Sequence, residues 1–227
     1  ETHAHADHMS AGDLLRRETG AQIAIGRGIT AVQANFARVY HMPWLQPDGG
    51  AFDRLLAEGD EVELGELKIR VLETPGHTSD SVTYLVDDAA FIGDTLFSPD
   101  YGTARCDFPG GDAHQLYQSI RRLHSLPDNT RLMLCHDYPE DGAEPRNEFS
   151  VRESRKNNIH LSEQVTEEEF VAMREARDAT LDLPRLLLPS LQVNILGGAA
   201  PPSESNGASY LKIPFNTTIP QLLDEST

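Results

Sequence analysis

The chain has 227 residues, with 36 acidic and 19 basic side chains and a formal net charge of −17. This length can hold one sizeable core with an appended segment rather than two full domains, and the charge makes nucleic acid and anionic membranes poor partners. No apolar run approaches the roughly 20 residues of a membrane span, and two cysteines are too few for a disulfide framework and fit a reducing compartment.

The chain opens on Glu1-Thr2-His3-Ala4-His5-Ala6-Asp7-His8, which places three imidazoles and a carboxylate on a short stretch. A helix would scatter these side chains and a strand would separate Asp7 from His8, but a loop wrapped around a metal ion can turn all four inward. Nitrogen and oxygen donors suit zinc, iron or manganese, and the lack of thiolates argues against a structural zinc cage. A tag remnant or a solvated polar stretch is the bland alternative, and the interspersed Asp and Ala argue against a tag. Ser10 is expected to cap a helix running through Arg17 and closed by Gly20, followed by a short strand at 22–25. Residues 31–40 have helical spacing in Val32, Phe36 and Tyr40, and Met42, Trp44 and Leu45 form an apolar packing knot. Residues 67–72 alternate as a half-buried strand and run into the turn Thr74-Pro75-Gly76-His77.

Residues 81–86 and 89–92 read as two strands about an Asp87-Asp88 turn, the second ending at Gly93-Asp94. Residues 113–126 form an amphipathic helix with Leu116, Ile120 and Leu123 on its apolar face, and His114 and His124 are expected in solvent. Residues 131–135 read as a buried strand ending in His136-Asp137-Tyr138, whereas His41 and His160 carry no ligand context. Three strand ends that each present a metal-ligand type, together with the opening cluster, are hard to assign to chance. The character changes near residue 161. Thr166 and Glu169 form a capping box opening a helix through Ala179. Residues 186–188 and 192–195 are apolar stretches broken by Pro189 and by Gly197-Gly198, and 199–208 read as a loop.

In order, His3-x-His5-x-Asp7-His8, Thr74-Pro75-Gly76-His77, Gly93-Asp94 and His136 resemble the signature of the metallo-β-lactamase fold superfamily. The resemblance implies an α/β fold, the αββα sandwich, over residues 1–160, with residues 161–227 an extension that packs on the domain or on a partner subunit. The superfamily's metal loop follows several strands, so the domain is expected to be N-terminally incomplete, by roughly a quarter at typical domain sizes. The resemblance also implies one metal position at His3, His5 and His77 and a second at Asp7, His8 and His136, with Asp94 bridging.

Residues 100–113 with His136-Asp137-Tyr138, and segments 166–179, 186–190 and 210–214, further resemble the bacterial persulfide dioxygenase branch, relatives of glyoxalase II. That resemblance implies one iron(II) per chain on His3, His77 and Asp94, and oxidation of glutathione persulfide to sulfite and glutathione. Two histidines and a carboxylate on one octahedral face leave three positions open, the arrangement of non-haem iron oxygenases. Zinc would instead lower the pKa of a bound water and hydrolyse a thioester, the glyoxalase II alternative with all seven ligands in use. A third possibility is an inactive metal-binding fragment or interaction module. Against a charge of −17 an anionic substrate needs local positive charge. Arg105 is the candidate for it, with pairing to Asp107 or Asp100 as its structural alternative, and Tyr138 is expected to orient the substrate beside it. Cys106 is expected to be buried as a small apolar residue. The expectation is a cytoplasmic, bacterial, homodimeric enzyme of sulfide detoxification.

Overall fold

The computed structural model describes residues 1–139 and 143–223. In chain order the elements are α1 (Gly12–Thr19), β1 (Ala24–Gly26), α2 (Ile29–Val39), β2 (Arg54–Leu56), β3 (Glu61–Leu64), β4 (Leu67–Glu73), β5 (Val82–Val86), β6 (Ala89–Phe91), α3 (Ala113–His124), β7 (Arg131–Met133), β8 (Glu148–Ser150), α4 (Val151–Asn157), α5 (Glu167–Asp178), α6 (Leu187–Asn194) and α7 (Ile219–Leu223). They form two compact units. One comprises Glu1, His3–Leu55 and the chain from Asp182, and the other comprises Thr2 and Leu56–Leu181. The helix opened by Thr166 thus lies in the same unit as the six strands β3 to β8.

In the first unit β1 pairs with β2. Gly20 closes α1 in the left-handed region (φ 72°), its amide donating to the Arg16 carbonyl, as expected. The expected cap lies one residue off: Ala11 occupies the N-cap, and Ser10 Oγ accepts from the Gly12 amide at 2.9 Å. α2 buries Ile29, Val32, Phe36 and Val39 together with the amide of Gln33. Gln33 is satisfied at both ends, donating to the Ile195 carbonyl and accepting from the Gly49 amide, each at 2.9 Å. Pro189, expected to break the chain's apolar run, lies inside α6. It is the third residue of that helix, where backbone N–H groups have no intrahelical partner and a proline costs little.

In the second unit six strands form one mixed sheet in the order β3-β4-β5-β6-β7-β8. All neighbours are antiparallel except β6 and β7, which are joined by α3 and run parallel. The β5–β6 hairpin turns at Asp87, in the left-handed region (φ 53°). α3 buries Leu116, Ile120 and Leu123 completely, in a core shared with Ile92, Leu132 and Phe170. Each such side chain contributes about 1.5–3 kcal/mol on burial. His124 lies in the same face, four residues after Ile120, and is buried rather than solvated, with Nε2 3.0 Å from Ser154 Oγ. Burial lowers its pKa to about 4. His114 is exposed, as expected, and pairs with Glu167. The capping box opens α5 as expected, Thr166 and Glu169 bonding reciprocally. Among the described residues no helix is long and apolar enough to cross a membrane.

Candidate metal centre

The expected ligands of the opening loop come together in the first unit. His3 and His5 are 1% and 7% exposed, whereas Asp7 and His8 face outward. Ring centroids lie 4.1 Å apart for His3 and His5 and 4.3 Å apart for His5 and His8. His5, Asp7 and His8 each present one ligand atom, all within 4.8 Å of one another. His8 Nδ1 also lies 3.1 Å from Asp7 Oδ1. The two nitrogens of His5 have different surroundings. Nε2 lies 3.5 Å from Glu1 Oε2, while Nδ1 is buried with no hydrogen-bond partner. Leaving a buried polar atom unsatisfied costs about 1–3 kcal/mol, and a metal ion is the group that would satisfy an imidazole nitrogen among other imidazoles and a carboxylate. These residues therefore fit a nitrogen- and oxygen-ligated metal. Burial alone would raise the pKa of Glu1, but the bond to His5, the charge of the N-terminal ammonium and the bond to Ser10 outweigh it and hold the carboxyl at about 2.

The second unit brings His77, Asp94 and His136 together. The turn ahead of His77 is fastened to α3: Ser119 Oγ donates to the Pro75 carbonyl at 2.6 Å, and the Asp112 amide donates to the Gly76 carbonyl at 2.9 Å. Gly76 adopts φ 136°, and a Cβ there would lie 2.3 Å from the Cα of Leu116, so only glycine fits this approach. His77 Nδ1 donates to the Arg105 carbonyl at 2.7 Å, since a carbonyl only accepts, and this bond leaves the lone pair on Nε2. That Nε2 lies 3.8 Å from Asp94 Oδ2, and His136 Nε2 lies 3.6 Å from Asp94 Oδ1. These separations exceed a hydrogen bond. They suit donors that share an ion, because two atoms each about 2.0–2.2 Å from one metal sit about 3–4 Å apart. The Asp94 carboxylate, 8% exposed, offers one oxygen to each histidine.

Tyr138 stands beside His136 and is half-exposed, stacked on Tyr101 with centroids 4.4 Å apart and edge-on to Phe97. Phe97 is a neighbour that sequence reasoning missed, because a single Phe after a strand carries no signal. Arg105 takes its structural alternative. Its Nε and NH2 both bond Asp107, at 2.6 and 2.7 Å, and its guanidinium lies over the Phe108 ring. Its guanidinium charge is paired with Asp107, and its backbone carbonyl accepts from His77 Nδ1. Cys106 is buried as expected, its thiol pushed up to about 12 by burial and by Asp178, while Cys135 is exposed. Glu1 and Asn194, which bond within the opening loop, were also missed.

Residues 1–136 match the family model described as the metallo-beta-lactamase superfamily. The chain is 53% identical over 227 residues to a probable metallo-hydrolase of Burkholderia pseudomallei (strain 1710b), an alignment covering 95% of this chain and 77% of that protein. It is 45% identical over 219 residues to a protein named glyoxylase B2 of Dictyostelium discoideum, covering 95% of this chain and 75% of that one. It spans only 50% of the length of relatives named beta-lactamase hydrolase-like protein from Xylella fastidiosa and Agrobacterium fabrum. Among solved structures, ETHE1 from Myxococcus xanthus matches with a TM-score of 0.70 and 32% identity, covering 87% of this chain and 76% of that one. With its histidine and aspartate side chains gathered after the strands, its mixed sheet and these similarities, the chain belongs to the metallo-β-lactamase superfamily.

Proposed function

We propose that the chain is an iron(II) persulfide dioxygenase. In this reading His3, His77 and Asp94 hold one iron per chain, and a small thiol persulfide, glutathione persulfide, reacts with dioxygen and water to give sulfite and the thiol. The observation that carries the reading is the likeness to ETHE1 across most of the chain, which fits the persulfide dioxygenase branch that the sequence resembles. Iron(II) bound there supplies redox chemistry toward dioxygen, which zinc lacks.

The chain's own groups have definite tasks in this reading. The Arg105 carbonyl fixes the His77 tautomer so that Nε2 can ligate, and Asp94 supplies the negative charge. His5, Asp7, His8 and His136 orient their neighbours and water through hydrogen bonds. Tyr138, braced by Tyr101 and Phe97, offers an aromatic face on which a sulfur group packs favourably. The cysteine usage fits the reducing cytoplasm of a bacterium, and a homodimer is the assembly we propose.

A zinc thioester hydrolase is the second reading. It is favoured by the names of the relatives, metallo-hydrolase and glyoxylase, and by the seven filled ligand positions. Metal analysis with paired assays separates the two. The proposal expects about one iron per chain, oxygen uptake that requires glutathione persulfide, and no hydrolysis of lactoylglutathione. Asp94→Ala should lose the iron and the oxygen uptake together. Two zinc ions with thioester hydrolysis and no oxygen uptake would establish the second reading instead.

A further inference from the structure

We propose that Asn194, the last residue of α6, is a positioning residue of the metal centre, whose side-chain amide sets the shape of the ligand loop at residues 3–8 and hence how tightly that loop holds a metal ion. The inference rests on the reading of this loop as metal-binding. Asn194 is 3% exposed and each polar atom of its side chain is spent on the loop or its exit. Nδ2 donates to the His5 carbonyl at 2.7 Å and to the His8 carbonyl at 2.8 Å, and Oδ1 accepts from the Ser10 amide at 2.8 Å. One planar amide thereby ties together the backbone of two histidine ligands and the residue that leaves the loop. A helix or strand ladder would ordinarily bond these backbone groups, and this loop lies in neither.

Two further contacts in the same unit make the clasp rigid. Ser10 Oγ donates to Glu1 Oε1, and the other oxygen of that carboxylate faces His5 Nε2 at 3.5 Å. The chain after α6 also lies directly on the loop exit. Gly198 adopts φ 90°, and a Cβ there would lie 2.8 Å from the Ser10 carbonyl oxygen, while a Cβ on Gly12 would lie 2.9 Å from the Gly197 carbonyl oxygen. This close approach brings the end of α6 against the exit of the ligand loop. Ligand geometry is costly to misplace: groups that orient metal ligands typically change metal affinity by about 10–100-fold when removed.

The test compares Asn194→Asp, Asn194→Ala and Gln33→Ala with the wild-type chain. Asn194→Asp keeps the shape and the acceptor for Ser10 but turns a carboxylate oxygen toward two carbonyl oxygens. Gln33→Ala is the structural control, because Gln33 bonds the neighbouring Ile195 carbonyl from the same buried region without touching the ligand loop. Zinc and cobalt affinities are read by chelator competition, ligand geometry by the visible bands of the cobalt form, and stability of the metal-free chain by urea unfolding. The expected result is a fall in zinc and cobalt affinity of about 10–100-fold in both Asn194 variants with shifted cobalt bands, and unchanged affinity in Gln33→Ala despite lower stability.

Unchanged affinity in the folded Asn194 variants would overturn the inference, as would an equal loss in Gln33→Ala, which would make the effect general loosening. If neither Asn194 variant folds while Gln33→Ala does, Asn194 belongs to the fold alone and the inference also fails. A wild-type chain that binds neither metal would remove the metal reading itself. A wild type that binds zinc and hydrolyses thioesters would remove only the iron reading and leave the role of Asn194 standing.

Discussion

Replacing Asp178 by Ala should be among the most damaging single changes outside the ligand set, and its cost can be worked from its partners. Asp178 and Arg174 are 3% and 1% exposed. Asp178 Oδ1 accepts from Arg174 Nε at 2.9 Å and from its NH2 group, and Oδ2 accepts from the Cys106 amide at 2.9 Å. Asp178→Ala leaves a guanidinium buried beside the Thr103 carbonyl without a counter-charge. Removing one partner of a buried pair costs about 3–5 kcal/mol, and the orphaned Cys106 amide adds up to about 1–3 kcal/mol. Against a total stability of about 5–15 kcal/mol this is a large fraction. Urea unfolding should show a much lower midpoint with an unchanged slope. The double variant Arg174→Met/Asp178→Leu, which removes both charges, should recover a substantial part of the loss. A cost for Asp178→Ala of under about 1 kcal/mol, the range of an exposed pair, would refute the reasoning.

Gly76→Ala should destabilise by about 1–3 kcal/mol or more from overpacking against Leu116. Gly59→Ala, at φ 79° and with nothing within 4 Å of its Cβ, should lose less, and equal losses in thermal unfolding would defeat the close-approach account. His124, whose pKa burial lowers from the ordinary 6.5 to about 4, is neutral in both states well above pH 6.5 and contributes nothing to pH dependence there. As pH falls from 6.5 to 4 only the unfolded chain takes up the proton, so stability declines by up to about 3 kcal/mol. His124→Leu should flatten that decline, and parallel urea stability profiles for variant and wild type would contradict it. On the proposed dioxygenase reading, His8→Ala should leave one iron per folded chain and slow oxygen uptake, because the side chain is outward-facing and bonded to Asp7. A fall from two metals to one would favour the zinc hydrolase.

Features whose cause is local were legible in the sequence. The β5–β6 hairpin follows from apolar alternation about a two-residue turn, and the start of α5 from a capping box in which both partners lie within four residues. The approach of His77, Asp94 and His136 to one another was expected from their places just after predicted strands. What was missed depends on partners far along the chain. Pro189 reads as a breaker until its place in the first turn of α6 is known. His124 reads as polar surface until the direction of the α3 core face is seen. Arg105 had two readings of equal standing, and of these the structure shows the pairing with Asp107. Asn194 lies 186 residues from His8, and nothing in its neighbourhood distinguishes it from any polar helix end.

The support for His77 is two steps deep, and that separates stability from metal binding in a way that can be measured. Its Nδ1 rests on the carbonyl of Arg105, and the adjacent Cys106 amide is held by Asp178, which Arg174 in turn holds from one turn earlier on α5. Arg174 also bonds the Thr103 carbonyl, so the segment from 103 to 106 is fastened at both ends by one buried ion pair. Apolar side chains of similar volume could replace that pair with little loss of stability, but they offer no acceptor to the Cys106 amide and no donor to Thr103. The double variant Arg174→Met/Asp178→Leu should therefore recover stability without recovering metal affinity, because the carbonyl that fixes the His77 tautomer is no longer held in place. Zinc affinity restored along with stability in the double variant would mean that the segment is positioned by packing alone and that the ion pair has no part in the site.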